Sequence, residues 1–349
     1  MSSPATVGIL ANPMSGRDVR RLAARASTTT PEIKRDQVAR AAIGAVAGGA
    51  TRLLVVREPF RISIAAVENL ELDAEIDVLD VGAELRAVDS ERAIQAMRAQ
   101  GCAALVVLGG DGTQRAVARA APEAPLVPLS TGTNNVFPVQ VEATAAGMAA
   151  GLVASGRIDA RSVTAIAKCI RVEIEGEAPD LALIDAALLV DDAVGNLMPF
   201  EPSRLRRLVL ARAEPTAVGL SSIGGLLAPC GARDDFGVEV TCAPPGAGAQ
   251  PLLAPISPGL FRSVYVAGVR RLALGEVVEV KGPGVLAFDG DRERALAAGQ
   301  WARLAVGRDG PRVIDVGLAL AAAAREGVFV DAGHWHDGLD RARPGTCCE

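Results

Sequence analysis

The chain has 349 residues, half of them apolar and only 3% aromatic, with a formal net charge of −5 at pH 7. That length suffices for two domains, small aliphatic side chains must build most of their cores, and the lack of a long basic or acidic run argues against nucleic acid or a membrane surface as a partner. No apolar run is long enough to span a bilayer, no signal-peptide pattern opens the chain, and six scattered cysteines with two histidines disfavour a zinc site and suit a reducing cytoplasm.

Apolar runs at 6–11, 52–56, 75–81, 104–110 and 125–130 read as strands. Helical patterns lie between them. In "DSERAIQAMRAQG", Asp89 or Ser90 is placed to cap the N-terminus, and Gly101 sits where a helix stops. Strands that are apolar throughout and spaced by helices predict a parallel sheet covered on both faces. An α/β domain is therefore expected over residues 1–156.

Beyond residue 157 the texture changes. "VTAIAKCIRVEIEGE", "DLALIDAALLVDD", "LRRLVLARAE", "FGVEVTC", "SVYVAGV", "EVVEVKG" and "VLAFDGD" read as strands joined by Gly, Pro and Asp turns. A β-rich domain is expected over 157–312. Within it, "APPGAGAQPLLAPISPG" (243–259) is predicted to be a long loop. Residues 313–349 are expected to form a helix ending near Gly327, packed back on the first domain, and a patternless tail holding His334, His336, Cys347 and Cys348. No internal repeat is seen.

The chemistry concentrates in strand-to-helix loops. "LVVLGGDGT" places Asp111 at the carboxyl end of a strand, where open parallel sheets bind ligands. The glycines permit a sharp turn and close ligand approach. Thr113 is placed to start the next helix, whose amides would face the same crevice. A carboxylate beside a phosphate site needs a reason, either taking a proton from an attacking hydroxyl or holding Mg²⁺. The plain alternative is a tight turn. "LANPMSGRDVRRL" is a second loop at a strand end, followed by a helix bearing Arg17, Arg20 and Arg21; "VPLSTGTNNVFP" is a third, dense in hydroxyl and amide donors. Their alternatives are a Ser-Gly turn and a capped helix start.

Together, "GGDGT", "NPMSG" and "PLSTGTNN" resemble the ATP–NAD kinase and diacylglycerol kinase superfamily, over residues 6 to 318. The resemblance implies a Rossmann-like N-terminal domain, a β-rich C-terminal domain and an active site between them. The loops resemble the lipid-kinase branch more closely. In the second half, "LALIDAALLV" is similar to the strand where NAD kinases carry an Asn–Glu pair, with Ile184 for the Asn and Asp185 for the Glu. Residues 214–229 are similar to a degenerate Gly-Ser-Thr segment, and "AFDGDRE" supplies the Asp–Gly element at Asp289. The mixture is most similar to the AcoX-like subgroup of ATP–NAD kinases, named for a protein of acetoin-catabolism operons.

The resemblance implies Asp111 as general base and Gly109, Gly110, Gly112 and Thr113 as phosphate holders. Asn12, Pro13, Ser15 and Gly16, with Thr131, Gly132, Thr133 and Asn134, would complete the nucleotide cradle. Asp185 and Asp289 would bind substrate, although a satisfied buried carboxylate and a plain hairpin turn are the alternatives. Arg204, Arg206 and Arg207 either face phosphate or form a solvated face. The expected function is ATP- and Mg²⁺-dependent phosphorylation of a hydroxyl on NAD or a related soluble metabolite, by a homo-oligomer (dimer or tetramer) without stable membrane association. A lipid kinase and a catalytically idle nucleotide sensor are the alternatives.

Overall fold

The computed structural model describes residues 4–16, 25, 29–131 and 135–330. Five strands come first: β1 (Thr6–Ala11), β2 (Arg52–Val56), β3 (Glu75–Leu79), β4 (Ala104–Gly109) and β5 (Leu126–Ser130). Helices α1 (Pro31–Ala47), α2 (Ile62–Val67), α3 (Ala87–Ala99), α4 (Asp111–Ala120) and α5 (Ala143–Ala154) separate and follow them. All five strands run parallel, in the order β3-β2-β1-β4-β5. Every residue of β1 and β4 is buried, as helices on both faces require.

Helices α1 and α5 pack backbone to backbone. A Cβ at Gly44 would stand 2.0 Å from the Thr144 carbonyl oxygen, and one at Gly147 would stand 2.0 Å from that of Ala41. Only glycine permits this approach. Helix α3 starts two residues before the predicted cap. Asp89 sits inside its first turn and reaches back to accept from the amides of Glu84, Leu85 and Arg86, at 2.7 to 3.3 Å. It works as the rear half of a capping box rather than as the cap itself.

The sheet does not end at residue 157. A helical turn, α6 (Ala160–Val163), feeds β6 (Thr164–Ile166), which joins the same sheet through β18 (Arg312–Ile314). Strand β18 lies parallel to β5, so the sheet has seven strands, β3-β2-β1-β4-β5-β18-β6. Helix α8 (Val316–Arg325), capped by Asp315 through the Leu318 amide at 3.0 Å, buries Val316, Ala319 and Ala323 in the first core.

The intervening chain forms two antiparallel sheets. It runs through β7 (Cys169–Ile174), β8 (Asp180–Ala182), β9 (Asp185–Leu189), β10 (Leu205–Leu210), helix α7 (Leu220–Gly225), β11 (Phe236–Cys242), β12 (Gln250–Ser257) and β13 (Leu260–Ala273). It continues through β14 (Val277–Lys281), β15 (Gly284–Phe288), β16 (Asp291–Leu296) and β17 (Trp301–Gly307). The larger sheet has the order β12-β13-β11-β10-β9-β15-β16, and the smaller β14-β17-β7-β8. Ile170, Val172 and Leu304 of the smaller sheet share a core with Val209, Leu286 and Phe288 of the larger. The segment expected to be a long loop contains β12. Among the described residues that strand pairs only with β13, so it is an edge, where Pro251 and Pro255, which lack an N–H, are tolerated.

Candidate active site

Strand β4 ends at Gly109, Gly110 caps α4, and Asp111 is the first helical residue. The helix therefore begins two residues before the predicted start at Thr113. The turn is so tight that a Cβ on Gly109 would lie 2.4 Å from that of Thr113. This packs Gly109 against the helix start, and it does not line the cleft beyond.

Two of the three predicted loops converge there, and the described ends of the third join them. Asn12 donates through Nδ2 to Thr113 Oγ1 at 2.8 Å, and the Ser15 and Thr131 hydroxyls are 2.7 Å apart. Asn135 donates through Nδ2 to Ser130 Oγ at 2.7 Å. Gly132, Thr133 and Asn134, like Arg17, Arg20 and Arg21, lie outside the described residues. Asn12, Pro13, Ser15, Gly16, Gly110, Asp111, Gly112, Thr113 and Asn135 line one cleft of about 590 Å³. Gly16 has φ +69°, in the left-handed region that glycine tolerates.

A residue absent from the motif reading fixes the 12–16 loop. Lys34 is fully buried, and its Nζ donates to the carbonyl oxygens of Asn12 (2.8 Å), Pro13 (3.0 Å) and Ser15 (2.7 Å). A sequence signal existed. Lys34 shares the buried face of α1 with Val38, Ala41, Ala42 and Ala45, where a lysine must find internal acceptors.

The Asp111 carboxylate accepts from the backbone amides of Val136 (3.2 and 3.1 Å) and Phe137 (2.8 Å). The half-buried Arg212 guanidinium lies over the Phe137 ring and donates to the Val136 carbonyl at 3.1 Å. It thus steadies the strand-end segment that holds Asp111. Burial, reinforced by the charge of Asp289, pushes the Asp111 carboxyl up to about 7.

The C-terminal sheets deliver two more carboxylates. The "LALIDAALL" run is broken at Leu183–Ile184, between β8 and β9. The amides of Leu183 (3.0 Å), Ile184 (2.8 Å) and Asp185 (3.3 Å) converge on the Asp289 carboxylate. Asp289 and Gly290, with φ +50° and +82°, form the two-residue turn between β15 and β16. The hairpin alternative is therefore realised, by a residue that also borders the cleft described above. Arg115 of α4 pairs with Asp289 at 3.7 Å and with Glu293. The Asp185 carboxylate accepts from the Gly290 amide at 3.3 Å. Burial raises Asp185 and Asp289 above the ordinary carboxylate range; the charges of Asp289 and Asp111 add to the rise at Asp185, whereas Arg115 opposes it at Asp289.

The three carboxylates meet at a smaller pocket beside the large cleft. Asp111 and Asp289 also border the large cleft, whereas Asp185 borders only the smaller pocket. Arg204, Arg206 and Arg207 border neither. Arg207 pairs with Glu239, and Arg206 donates to the Ser203 carbonyl at 2.6 Å. Among the described residues no group of three or more His, Cys, Asp or Glu side chains could cage a metal ion.

Residues 168–309 match the acetoin catabolism protein X C-terminal domain, and residues 7–158 match the ATP-NAD kinase N-terminal domain. Over 332 residues the chain is 37% identical to acetoin catabolism protein X of Cupriavidus necator, covering 91% of this chain and 92% of that protein. The chain belongs to that family. The family fold extends further: yeast NADH kinase complexed with NADH matches with a TM-score of 0.53 at 12% identity, covering 96% of this chain and 91% of that one. A diacylglycerol kinase from Bacillus anthracis matches with a TM-score of 0.43 at 12% identity, covering 90% and 98%. The expected NAD kinase-like architecture, an α/β domain followed by a β-rich domain, is thus shown. Within this family member, Ile184 packs in a core with Ala118, Phe137, Cys169 and Leu183. No helix of the described residues is long and apolar enough to cross a membrane.

Proposed function

We propose that the chain transfers the γ-phosphoryl group of ATP to a hydroxyl of a soluble metabolite, with Asp111 as general base. One observation carries this reading. Asp111, a buried carboxylate raised to about 7, borders both the large cleft and the pocket beside it. A base between donor and acceptor spaces, titrating near neutrality, suits proton removal from a hydroxyl as it attacks phosphorus.

The large cleft would hold the nucleotide. Loop 12–16, fixed by Lys34, and the start of α4 would present amides and hydroxyls to the phosphates. The acceptor oxygen would give its proton to Asp111 while bonding to the γ-phosphorus, and ADP would leave. Mg²⁺ bound through a triphosphate needs only one or two carboxylates beside the phosphate oxygens. Asp291 lines the cleft, its Oδ2 3.1 Å from where a Cβ on Gly112 would stand, and would provide one. When bound, the ion neutralises charge developing on the phosphoryl oxygens. The name of the Cupriavidus necator relative links this reading to acetoin catabolism.

The test is a transfer assay. The purified chain with ATP and Mg²⁺ is screened against NAD, NADH, diacylglycerol and small alcohols. The expected result is ADP formation matched by a phosphorylated soluble acceptor, lost in Asp111→Asn. Nucleotide binding without transfer to any acceptor overturns the reading in favour of a sensor.

A further inference from the structure

The pocket beside the carboxylates is small, about 70 Å³. A single water needs roughly 10–15 Å³ of such space, so there is room for about five non-hydrogen atoms. Pockets for drug-sized ligands run to roughly 300–1,000 Å³. The large cleft meets that scale and this pocket does not.

The wall that limits the pocket is held firmly. Segment 195–200 contributes Gly195 and Leu197 to the cleft and Met198, Pro199 and Phe200 to the pocket. Arg292 fastens it by donating to the carbonyls of Asn196 (3.3 Å) and Met198 (2.8 Å), while pairing with Asp192 at 3.3 Å. The two charged side chains are 3% and 1% exposed. Breaking a buried pair of this kind is strongly unfavourable, so the wall does not swing aside at little cost.

The lining selects for charge. Three carboxylates line this space with one cation, Arg292, which is already paired with Asp192, and an anionic ligand would add a further like charge. The apolar remainder, including Val136, Phe200, Leu220 and Ile256, suits a short hydrocarbon chain. Asp111 supplies an acceptor for one ligand hydroxyl. Asp185, whose affinity for a proton is raised by burial and by the charges of Asp289 and Asp111, also lines the pocket and would donate to a second oxygen when protonated.

We propose that the phosphoryl acceptor is a compact, uncharged, short-chain molecule bearing a hydroxyl and a second oxygen, and not a dinucleotide. The proposal rests on the phosphotransferase reading above. The pocket makes the chain selective by size and by charge, and Phe200 is the side chain that sets the length limit.

The experiment compares acceptors with Mg²⁺ and ATP, following ADP release and the phosphorylated product by mass. The series holds three- to five-carbon diols and hydroxyketones, hydroxy acids and sugar phosphates of similar size, and NAD and NADH. Binding of the same compounds to Asp111→Asn is measured by calorimetry. The expected result is kcat/KM for the uncharged short acceptors at least about 10²-fold above the anionic ones and the dinucleotides, and in Phe200→Ala a preference moved to longer chains. Preferential phosphorylation of NAD or NADH overturns this inference and leaves the kinase reading standing. Binding of the short acceptors without transfer overturns the kinase reading and leaves the pocket assignment standing. An unchanged length preference in a folded Phe200→Ala protein overturns the role given to that wall.

Discussion

Asp111 and Asp289 are built alike and placed to act differently. Each sits at a turn leaving a strand, and each accepts amides from a distant segment of chain, 136–137 for Asp111 and 183–185 for Asp289. Asp289 takes amides from three residues and pairs with a buried arginine. Asp111 takes amides from two residues, and its arginine is turned to the Val136 carbonyl. The better compensated carboxylate is an anchor, with Arg115 and three amides opposing the rise that burial imposes. The less compensated one is left with a carboxyl near 7, which is the property a base requires. Burial alone does not assign a role; the number of amides and the aim of the nearest cation do.

The largest effect expected from this contrast is on stability. Asp289→Ala strips the acceptor from three buried amides, removes one of the carboxylates paired with Arg115, and puts a β-carbon residue without a polar side chain at φ +50°. Loss of about 3–5 kcal/mol is expected in urea unfolding. A cost below about 1 kcal/mol would break the comparison, because Asp289 would then not be an anchor.

Asp111→Asn should act on rate instead. The amide oxygen still accepts from Val136 and Phe137, but the side chain no longer takes a proton. The expectation is a fall in kcat of at least about 10²-fold, with little change in melting temperature. Near-normal kcat would remove Asp111 from the chemistry, and an unfolded protein would make it a second anchor.

Lys34→Met frees the 12–16 loop without touching either carboxylate. About a tenfold rise in KM for ATP is expected from losing charge-assisted bonds to three carbonyls, with kcat less affected. If kcat falls while KM stays fixed, the loop serves chemistry rather than nucleotide binding.

The finest test is the pH profile. Catalysis needs Asp111 unprotonated, so kcat/KM should rise as pH climbs through about 7. Asp289→Asn removes a negative neighbour and should move that limb to lower pH; Arg212→Met removes a positive one and should move it to higher pH. The linked stability runs the other way. With a carboxyl raised from its ordinary 3.8 to about 7, the native state binds more protons in that window. Its contribution to stability therefore falls as pH rises across the window, and Asp111→Asn should flatten that slope in thermal melts.

The glycine-ringed aspartate, the asparagine loop and the parallel strands were legible because each depends on residues adjacent in sequence. Apolar runs that end in small residues announce a strand and its turn without knowledge of the neighbours. Segment 243–259 was misread for the same reason. Proline and glycine argue for a loop unless the strand is an edge, and edge status is a property of the sheet. Lys34 was hidden because its acceptors lie about twenty residues upstream, and Arg115 because its carboxylate partners lie on the far side of the β-rich region. Asp185 and Asp289 were left balanced between structure and function, since nothing local to "IDAAL" or "FDGD" reveals that antiparallel pairing of β9 with β15 sets them together.

The sequence by itself determined the α/β to β-rich succession and the strand-end loops that carry Asn12, Asp111 and Thr131, because backbone propensity and turn chemistry act over a few residues. Only the tertiary structure decided which carboxylate anchors and which titrates, and how small the space beside them is. Those properties come from desolvation and from charges and walls contributed by strands more than a hundred residues apart, and long-range packing alone brings them together.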